Sequence, residues 1–198
     1  MSEPFKVIDG LRLPAELRGL LRPGEAMQDS AGRTHVLPRF FYEVETWARA
    51  KEQRLAANFT FAELMTVDCR EADVLLNTLP HYVPCAVMLL GRFLQEFRNR
   101  VEAPVFIATN GGYRSPAHAH SRQASPHLWA AAANIYRIGD TYLDDEKSIE
   151  KYARIAASIA PGVVNVKPFG HGTGESDDHL HLDIGYAICV PSDCDEAS

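Results

Sequence analysis

The sequence predicts an α+β fold, in which helices pack beside an antiparallel sheet. The stretch HYVPCAVMLLGRFLQEFRNRV is the strongest helix candidate, because Val87, Leu90, Leu94 and Phe97 recur on one face. A second amphipathic stretch, DDEKSIEKYARIAASIA, has acidic residues at its start and Pro-Gly after its end. The segments GVVNVKPF and DDHLHLDIGYAICV have the character of strands and enclose a glycine-rich turn. Helices beside such strands define the α+β class.

The remaining elements are predicted in chain order. Residues 1–37 mix proline, glycine and short apolar alternations, which indicates short strands or an irregular arm. Apolar residues from Phe41 to Leu55 recur at helical spacing and predict a helix. In NFTFAELM, Thr60 and Glu63 are spaced as the two members of a capping box. Pro84 suits the first turn of the strongest helix, and APVFIATNGGYRS predicts a buried strand followed by a loop.

Length and composition are those of an ordinary globular protein. The 198 residues suit one domain, with 1–55 as an N-terminal arm and helix, 56–190 as the main domain and 191–198 as a tail. Charged residues make up 23% and the net charge is −6 without a Lys/Arg run, so we expect no nucleic-acid partner. No apolar stretch is long enough to cross a membrane.

The N-terminus and the cysteines favour a cytoplasmic protein. The opening MSEPFKVIDGLRLP lacks the basic and apolar segments of a secretory signal. The four cysteines include no CxxC pair, so we expect free thiols. A bridge from Cys189 or Cys194 is the less favoured alternative.

The C-terminal strand carries the most informative pattern. In DDHLHLDIGY the side chains alternate, so His179, His181 and Asp183 share one side while Leu180 and Leu182 face the core. Three titratable groups on one face are costly unless they line a cleft or bind a ligand. Two histidines two apart on a strand are also a common metal-ligand geometry. A solvated polar face is the alternative, and the strand alone does not decide between the two.

Two earlier segments add candidate site residues. In SPHLWAAAAN, His127 follows a Ser-Pro turn and Asn134 stands after a run of small residues. An amide oxygen is a weaker zinc ligand than a carboxylate, so a turn histidine and a polar strand residue are the alternative here. In NGGYRSP, Gly111 and Gly112 permit unusual backbone angles. Arg114 offers a planar fork that fits a carboxylate, with a surface ion pair as the alternative.

Taken in this order, NGGYRS, SPHLWAAAAN and HLD resemble the motifs of zinc D-alanyl-D-alanine carboxypeptidases and L-alanyl-D-glutamate endopeptidases. That superfamily includes the VanY and VanX peptidases and the Hedgehog signalling domain. The resemblance covers about Phe59 to Tyr186 and implies a Hedgehog/DD-peptidase-like metal domain over 56–190. It implies one zinc ion held by His127, Asn134 and His181. Asn134 stands where the motif has aspartate, and Ala130 stands where it has glycine.

The resemblance also implies roles around the metal. Arg114 would orient the substrate, with Ser125 and Tyr113 as further substrate-binding residues. The catalytic base would be Asp178, which matches a family carboxylate, or His179, which matches a histidine found in some members.

The asparagine has consequences for the metal itself. It removes one negative charge from the metal sphere, so we expect weaker zinc binding and recruitment of a further ligand. The candidates for that ligand are His179, Asp178, Glu175 and His120. Fe²⁺ is the alternative metal, since two histidines and one carboxylate also suit Fe(II) chemistry.

Three functions follow as expectations. The first is a metal-dependent peptidase or amidase that cleaves small peptides or peptidoglycan stem peptides, at D-Ala-D-Ala or L-Ala-D-Glu type bonds. The second is a degenerate, non-hydrolytic binding module, and the third is a repurposed zinc or iron enzyme on the same fold. Retention of His127, His181 and Arg114 together favours the first. The missing signal peptide leaves open a phage lysin, a cytosolic dipeptidase or a biosynthetic enzyme.

Overall fold

A computed structural model describes residues 5–65, 68–170 and 177–190 of the chain, as antiparallel strands and helices that confirm the α+β class. The strands are β1 (Val7–Asp9), β2 (Ala26–Gln28), β3 (Thr34–Val36), β4 (Phe40–Val44), β5 (Arg54–Ala56), β6 (Phe59–Thr60), β7 (His81–Pro84), β8 (Val105–Ile107), β9 (Ala132–Ile138), β10 (Thr141–Tyr142), β11 (Asn165–Val166) and β12 (Leu180–Asp183). The α-helices are α1 (Ala15–Leu21), α2 (Trp47–Glu52), α3 (Phe61–Leu64), α4 (Asp73–Asn77), α5 (Val87–Val101) and α6 (Glu146–Ile159). Short 3₁₀ helices cover Gly10–Arg12 and Pro126–Trp129.

A five-stranded antiparallel sheet in the described ranges presents the candidate site residues. Its order is β10-β9-β12-β11, and β8 also pairs with β9. Leu180 and Leu182 of β12 and Ile135 of β9 are fully buried, on the face against which α5 and α6 pack. Because strand side chains alternate, the intervening residues of β9 and β12 project from the opposite face. The alternation predicted for β12 is confirmed.

The N-terminal residues belong to a second sheet, in which β4 lies between β1 and β7. The helix predicted across Phe41–Leu55 is therefore wrong, since this stretch forms β4, the short helix α2 and β5. Its aromatic and β-branched residues fit strand geometry, and pairing on both edges of β4 overrides the helical spacing. Pro84 is also misplaced by the prediction, because it lies in β7 opposite Phe41 and α5 begins only at Val87.

Other predicted elements are confirmed, with shorter bounds for the strands. Helix α5 covers the strongest amphipathic stretch, and Asp145 caps α6 by accepting a hydrogen bond from the Ser148 amide at 3.0 Å. The Glu63 carboxylate accepts a hydrogen bond from the Thr60 amide at 2.7 Å, as the capping box requires. The glycine-rich turn over 171–176 lies outside the described residues.

The β2–β3 hairpin packs against the segment that carries His127. Trp129 donates a hydrogen bond from Nε1 to the Val36 carbonyl at 3.1 Å. The ring of His35 stacks on Tyr186 with a centroid distance of 3.5 Å. The β2–β3 hairpin thus supports one wall of the region described next.

Two further expectations concern thiols and membranes. Within the described ranges, Cys69, Cys85 and Cys189 form no disulfide bond, and Cys194 lies outside the described residues. Across the described ranges, no helix has the length and apolar character needed to cross a membrane.

Candidate metal centre and cleft

Asn134 and His181 stand directly opposite each other on the neighbouring strands β9 and β12. Their side chains meet on the outer face of the sheet, where Asn134 Oδ1 lies 2.9 Å from His181 Nδ1. Both residues are buried. The antiparallel register therefore brings together two residues that the resemblance implied as ligands of one metal ion.

His127 approaches the same pair from the 3₁₀ helix Pro126–Trp129. The centroids of the His127 and His181 rings are 5.2 Å apart. The Nδ1 of His127 lies 2.8 Å from the Gly112 carbonyl, which can only accept, so Nδ1 carries the proton and Nε2 keeps its lone pair. Burial, reinforced by the charge of Arg114, holds the pKa of His127 well below its usual range. The ring is therefore neutral at pH 7, as metal ligation requires.

Asp183 fixes the orientation of the His181 ring. Its Oδ2 lies 3.1 Å from His181 Nε2, and its Oδ1 accepts hydrogen bonds from Asn165 Nδ2 at 3.0 Å and from the Gly185 amide at 2.8 Å. Burial opposes ionisation, but the hydrogen bonds from His181 and Asn165 leave the pKa of Asp183 below its usual value. The carboxylate therefore holds the proton of His181 on Nε2 and leaves the Nδ1 lone pair facing Asn134. The sequence placed Asp183 on this face without indicating the role.

Both glycines of NGGYRS are required because neither position has room for a Cβ. A Cβ on Gly111 would lie 2.6 Å from the Asn134 carbonyl oxygen, and one on Gly112 would lie 2.4 Å from the Leu64 carbonyl oxygen. Neither glycine is among those with positive φ in the described residues, so close backbone approach explains them rather than unusual angles. Ala130 does adopt the left-handed conformation, with φ of 54°, at the end of the 3₁₀ helix. This conformation normally favours glycine, the residue that stands here in the resembling motif.

A cleft of about 420 Å³ opens over these residues. It brings together seven of the predicted site residues, namely Arg114, Ser125, His127, Asn134, Asp178, His179 and His181. Tyr136 and Lys167 contribute to the same lining, as does His120. Its volume lies in the range of sites that bind small molecules or short peptides.

Asp178 and His179 form a hydrogen-bonded pair at the cleft. His179 Nδ1 lies 2.6 Å from Asp178 Oδ1, which accepts a hydrogen bond from it. The Asp178 side chain is 84% exposed and the His179 side chain only 16% exposed, so the histidine is the enclosed member. The two candidates for the base are thus in contact. Glu175, a candidate for the recruited metal ligand, lies outside the described residues.

Tyr113 is not brought to the cleft. Its hydroxyl is enclosed without a hydrogen-bond partner in the described residues, and burial raises its pKa well above the usual value. The residue lies beside a separate cavity of about 20 Å³ that His81 also lines. This is room for about one water molecule. Tyr113 thus packs behind the loop that carries Arg114.

Glu71 anchors that loop, and sequence reasoning missed it. Its Oε1 accepts a hydrogen bond from Ser115 Oγ at 2.6 Å and its Oε2 accepts one from the Ser115 amide at 3.0 Å. The two residues are 44 positions apart and Glu71 belongs to no motif, so the sequence held no signal for the contact.

His120 lies on the loop side of the cleft in a defined tautomer. Its Nε2 is 2.6 Å from Arg70 Nη1 and must accept that hydrogen bond, because a guanidinium has no lone pair. Arg70 is held in turn by the buried Asp68. The Nε2 of His120 is therefore engaged, which leaves only Nδ1 for the recruited metal ligation considered from the sequence.

The donor set fits a divalent cation but brings no charge. Among the described residues, no three His, Cys, Asp or Glu side chains form a metal-binding group, because the third donor here is the amide of Asn134. Two imidazole nitrogens and one amide oxygen are nevertheless ligands that zinc or Fe²⁺ accepts. In the comparisons with known proteins, no family model, curated protein or solved structure matches the chain. The function is therefore argued from the site.

Proposed function

We propose that the cleft is the active site of a metal-dependent peptidase or amidase. The observation that carries the proposal is the convergence of His127, Asn134 and His181, with the outer nitrogen of each histidine tied to an acceptor. His127 Nε2, His181 Nδ1 and Asn134 Oδ1 are the atoms that would hold zinc, or Fe²⁺ as the alternative. When bound, the cation supplies Lewis-acid polarisation of a carbonyl and activation of a water molecule.

The proton is handled by His179, oriented by Asp178. The hydrogen bond from Nδ1 to Asp178 fixes the ring and leaves Nε2 to accept a proton from water. The carboxylate stabilises the imidazolium that results. Asp178 and His179 thus act as one unit, in which the enclosed histidine is the base and the exposed aspartate positions it.

Substrate orientation falls to Arg114, and Ser125 also lines the cleft. A guanidinium in a cleft recognises a carboxylate or a peptide carbonyl through paired N–H groups. A volume of about 420 Å³ suits a short peptide. Peptidoglycan stem peptides with D-Ala-D-Ala or L-Ala-D-Glu bonds are proposed from the motif resemblance.

A non-hydrolytic binding module is the second candidate, favoured by one observation. Asn134 Oδ1 lies 2.9 Å from His181 Nδ1, and with the amide turned so that its NH₂ group donates to Nδ1, the two side chains satisfy one another without a cation. A set of neutral donors also binds a divalent ion less tightly than a set with a carboxylate.

Metal content and peptide hydrolysis test the proposal together. Protein purified without a histidine tag is analysed by inductively coupled plasma mass spectrometry, which also separates zinc from iron. We expect one ion per chain in wild type, its loss in His181→Ala, and its retention in His81→Gln, a control outside the cleft. With zinc supplied, release of amine from D-Ala-D-Ala or L-Ala-D-Glu peptides should fall about a hundredfold in His179→Gln while metal stays bound. No metal and no hydrolysis at any zinc concentration would contradict the proposal and favour the binding module.

A further inference from the structure

A row of three side chains crosses the outer face of the sheet beyond Asn134. In the register, Arg137 of β9 is paired with Phe106 of β8 and with Tyr142 of β10. The next pair, Ile138 and Val105, is buried in the core, so Arg137 and its two neighbours point to the other face. This is the face from which Asn134 projects.

A register irregularity places two consecutive residues of β9 on this face. The pairing with β8 shifts between Phe106 and Ile107, so that Ile107 lies opposite Ile135 while Phe106 lies opposite Arg137. Tyr136 is the extra residue, and it lines the cleft. Its ring centroid is 6.3 Å from that of Phe106 and 6.4 Å from that of Tyr142. Tyr136 thus connects the cleft to the Arg137 row.

The guanidinium of Arg137 is held against aromatic rings. Its Cζ lies 3.9 Å from the Phe106 centroid and 5.7 Å from the Tyr142 centroid. The Nε is enclosed and has no hydrogen-bond partner in the described part of the chain, while the Arg137 residue as a whole is only partly buried. The ion pairs of the described residues do not include Arg137.

Arg137 is therefore a partly desolvated cation held by ring contacts, and the terminal N–H groups of its guanidinium are the part that can bind a ligand. Stacking satisfies the face of a guanidinium but none of its in-plane N–H groups. In a chain with a net charge of −6, a cation without a carboxylate partner is available to an external anion. Loss of water around Nε strengthens the attraction for such an anion.

We propose that Arg137 is an oxyanion receptor. It binds a carboxylate of a ligand that is held in the cleft and extends out of it over Tyr136. Arg137 is three residues from Asn134, which places the receptor roughly 10 Å from the candidate metal centre along the strand. The receptor rests on the contacts given above. Its role in substrate choice rests on the proposed function: it selects peptides with an acidic group roughly 10 Å from the bond that is cut.

Side-chain NMR of the metal-free full chain tests the receptor without any hydrolysis. The Nε–Hε signal of Arg137, assigned by its loss in Arg137→Gln, is followed during titration with N-acetyl-L-glutamate and, separately, inorganic phosphate. We expect a saturable shift in wild type and at least about tenfold weaker binding in Arg137→Gln, followed at the Tyr142 amide. Arg137→Lys should restore only part of the affinity, because it keeps the charge and loses the fork.

The controls separate this site from the cleft and from the metal. Arg154→Gln makes the same charge change at a side chain 75% exposed on α6 and should leave binding unchanged. Arg114→Gln and His127→Ala should also leave the Arg137 shift unchanged. The titration therefore tests the receptor even if the proposed metal centre binds no metal. A flat titration, or equal weakening in Arg154→Gln and Arg137→Gln, would overturn the receptor. Saturation by phosphate but not by the carboxylate would overturn the assignment to acidic peptides.

Discussion

Replacing Asn134 with aspartate should raise the affinity of the chain for zinc. The substitution exchanges an amide for a carboxylate of nearly the same shape, at a position whose Oδ1 is 2.9 Å from His181 Nδ1. The other two donors, His127 Nε2 and His181 Nδ1, keep their tautomers, since Gly112 and Asp183 hold the opposite nitrogens. The difference between the two proteins is therefore one unit of negative charge.

The size of the effect follows from that charge. Two unit charges about 4 Å apart interact by about 4 kcal/mol at an effective dielectric constant of about 20, and a divalent ion doubles this to about 8 kcal/mol. Burying the carboxylate costs several kcal/mol in the metal-free protein, because Asn134 is only 8% exposed. We expect a net gain of about 2 to 4 kcal/mol, or at least about thirtyfold in Kd.

Zinc affinity is measured by competition with a chromophoric chelator at pH 7, for wild type, Asn134→Asp and Asn134→Ala. The order of affinity should be aspartate, then asparagine, then alanine, and all binding should be lost in His181→Ala. Equal affinities for the aspartate and alanine variants would refute the reasoning, since the side chain at 134 would then take no part in binding.

Three further predictions concern the supports of the site and are read out as free energies of unfolding in urea. Gly112→Ala should destabilise the protein by about 1 to 3 kcal/mol, because the added Cβ would meet the Leu64 carbonyl. The control is Gly19→Ala, in a helix where the added Cβ meets open space, which should stabilise the protein by up to about 1 kcal/mol. Equal effects of the two substitutions would refute the close approach at Gly112. Glu71→Gln should destabilise by about 1 to 3 kcal/mol because an NH₂ group replaces one acceptor for Ser115, with Glu150→Gln on exposed α6 as the nearly neutral control. Burial lowers the pKa of His118, so the unfolded chain binds more protons below pH ~6.5 and stability should fall as the pH drops from about 7 to about 5. His118→Gln should reduce this slope without abolishing it, because burial also lowers the pKa values of His81, His127 and His181. An unchanged slope would contradict the assignment.

The parts of the fold with strong local patterns could be predicted from the sequence. Helices α5 and α6 have long apolar stripes, and β12 alternates without interruption, so local spacing and tertiary packing agree. The helix prediction for Phe41 to Leu55 is wrong because the helical spacing of its apolar residues is incidental. Phe41 and Val44 are buried by pairing with β1 and β7, and β7 is contributed by residues about 40 positions later.

Some residues of the candidate site could likewise be predicted from the sequence, and others could not. The three ligand candidates lie in ordered motifs that could be recognised, and the register of β9 with β12 explains why Asn134 meets His181. The supporting residues could not be found, because their roles arise from contacts with no local signature. Glu71 binds Ser115 across 44 positions, and the outward placement of Arg137 depends on an irregularity in the strand pairing.

The asparagine gives the site a property that an aspartate would not. With the proton of His181 on Nε2 toward Asp183, the Nδ1 lone pair needs a donor when no cation is bound. An asparagine can turn its NH₂ group toward Nδ1 in the empty site and its oxygen toward a cation in the loaded one. An aspartate can satisfy the empty site only by taking up a proton, either on His181, whose pKa is lowered by burial, or on its own carboxylate. The metal-free Asn134→Asp protein should therefore be less stable than metal-free wild type at pH 8, and saturating zinc should raise its free energy of unfolding by more than it raises that of wild type.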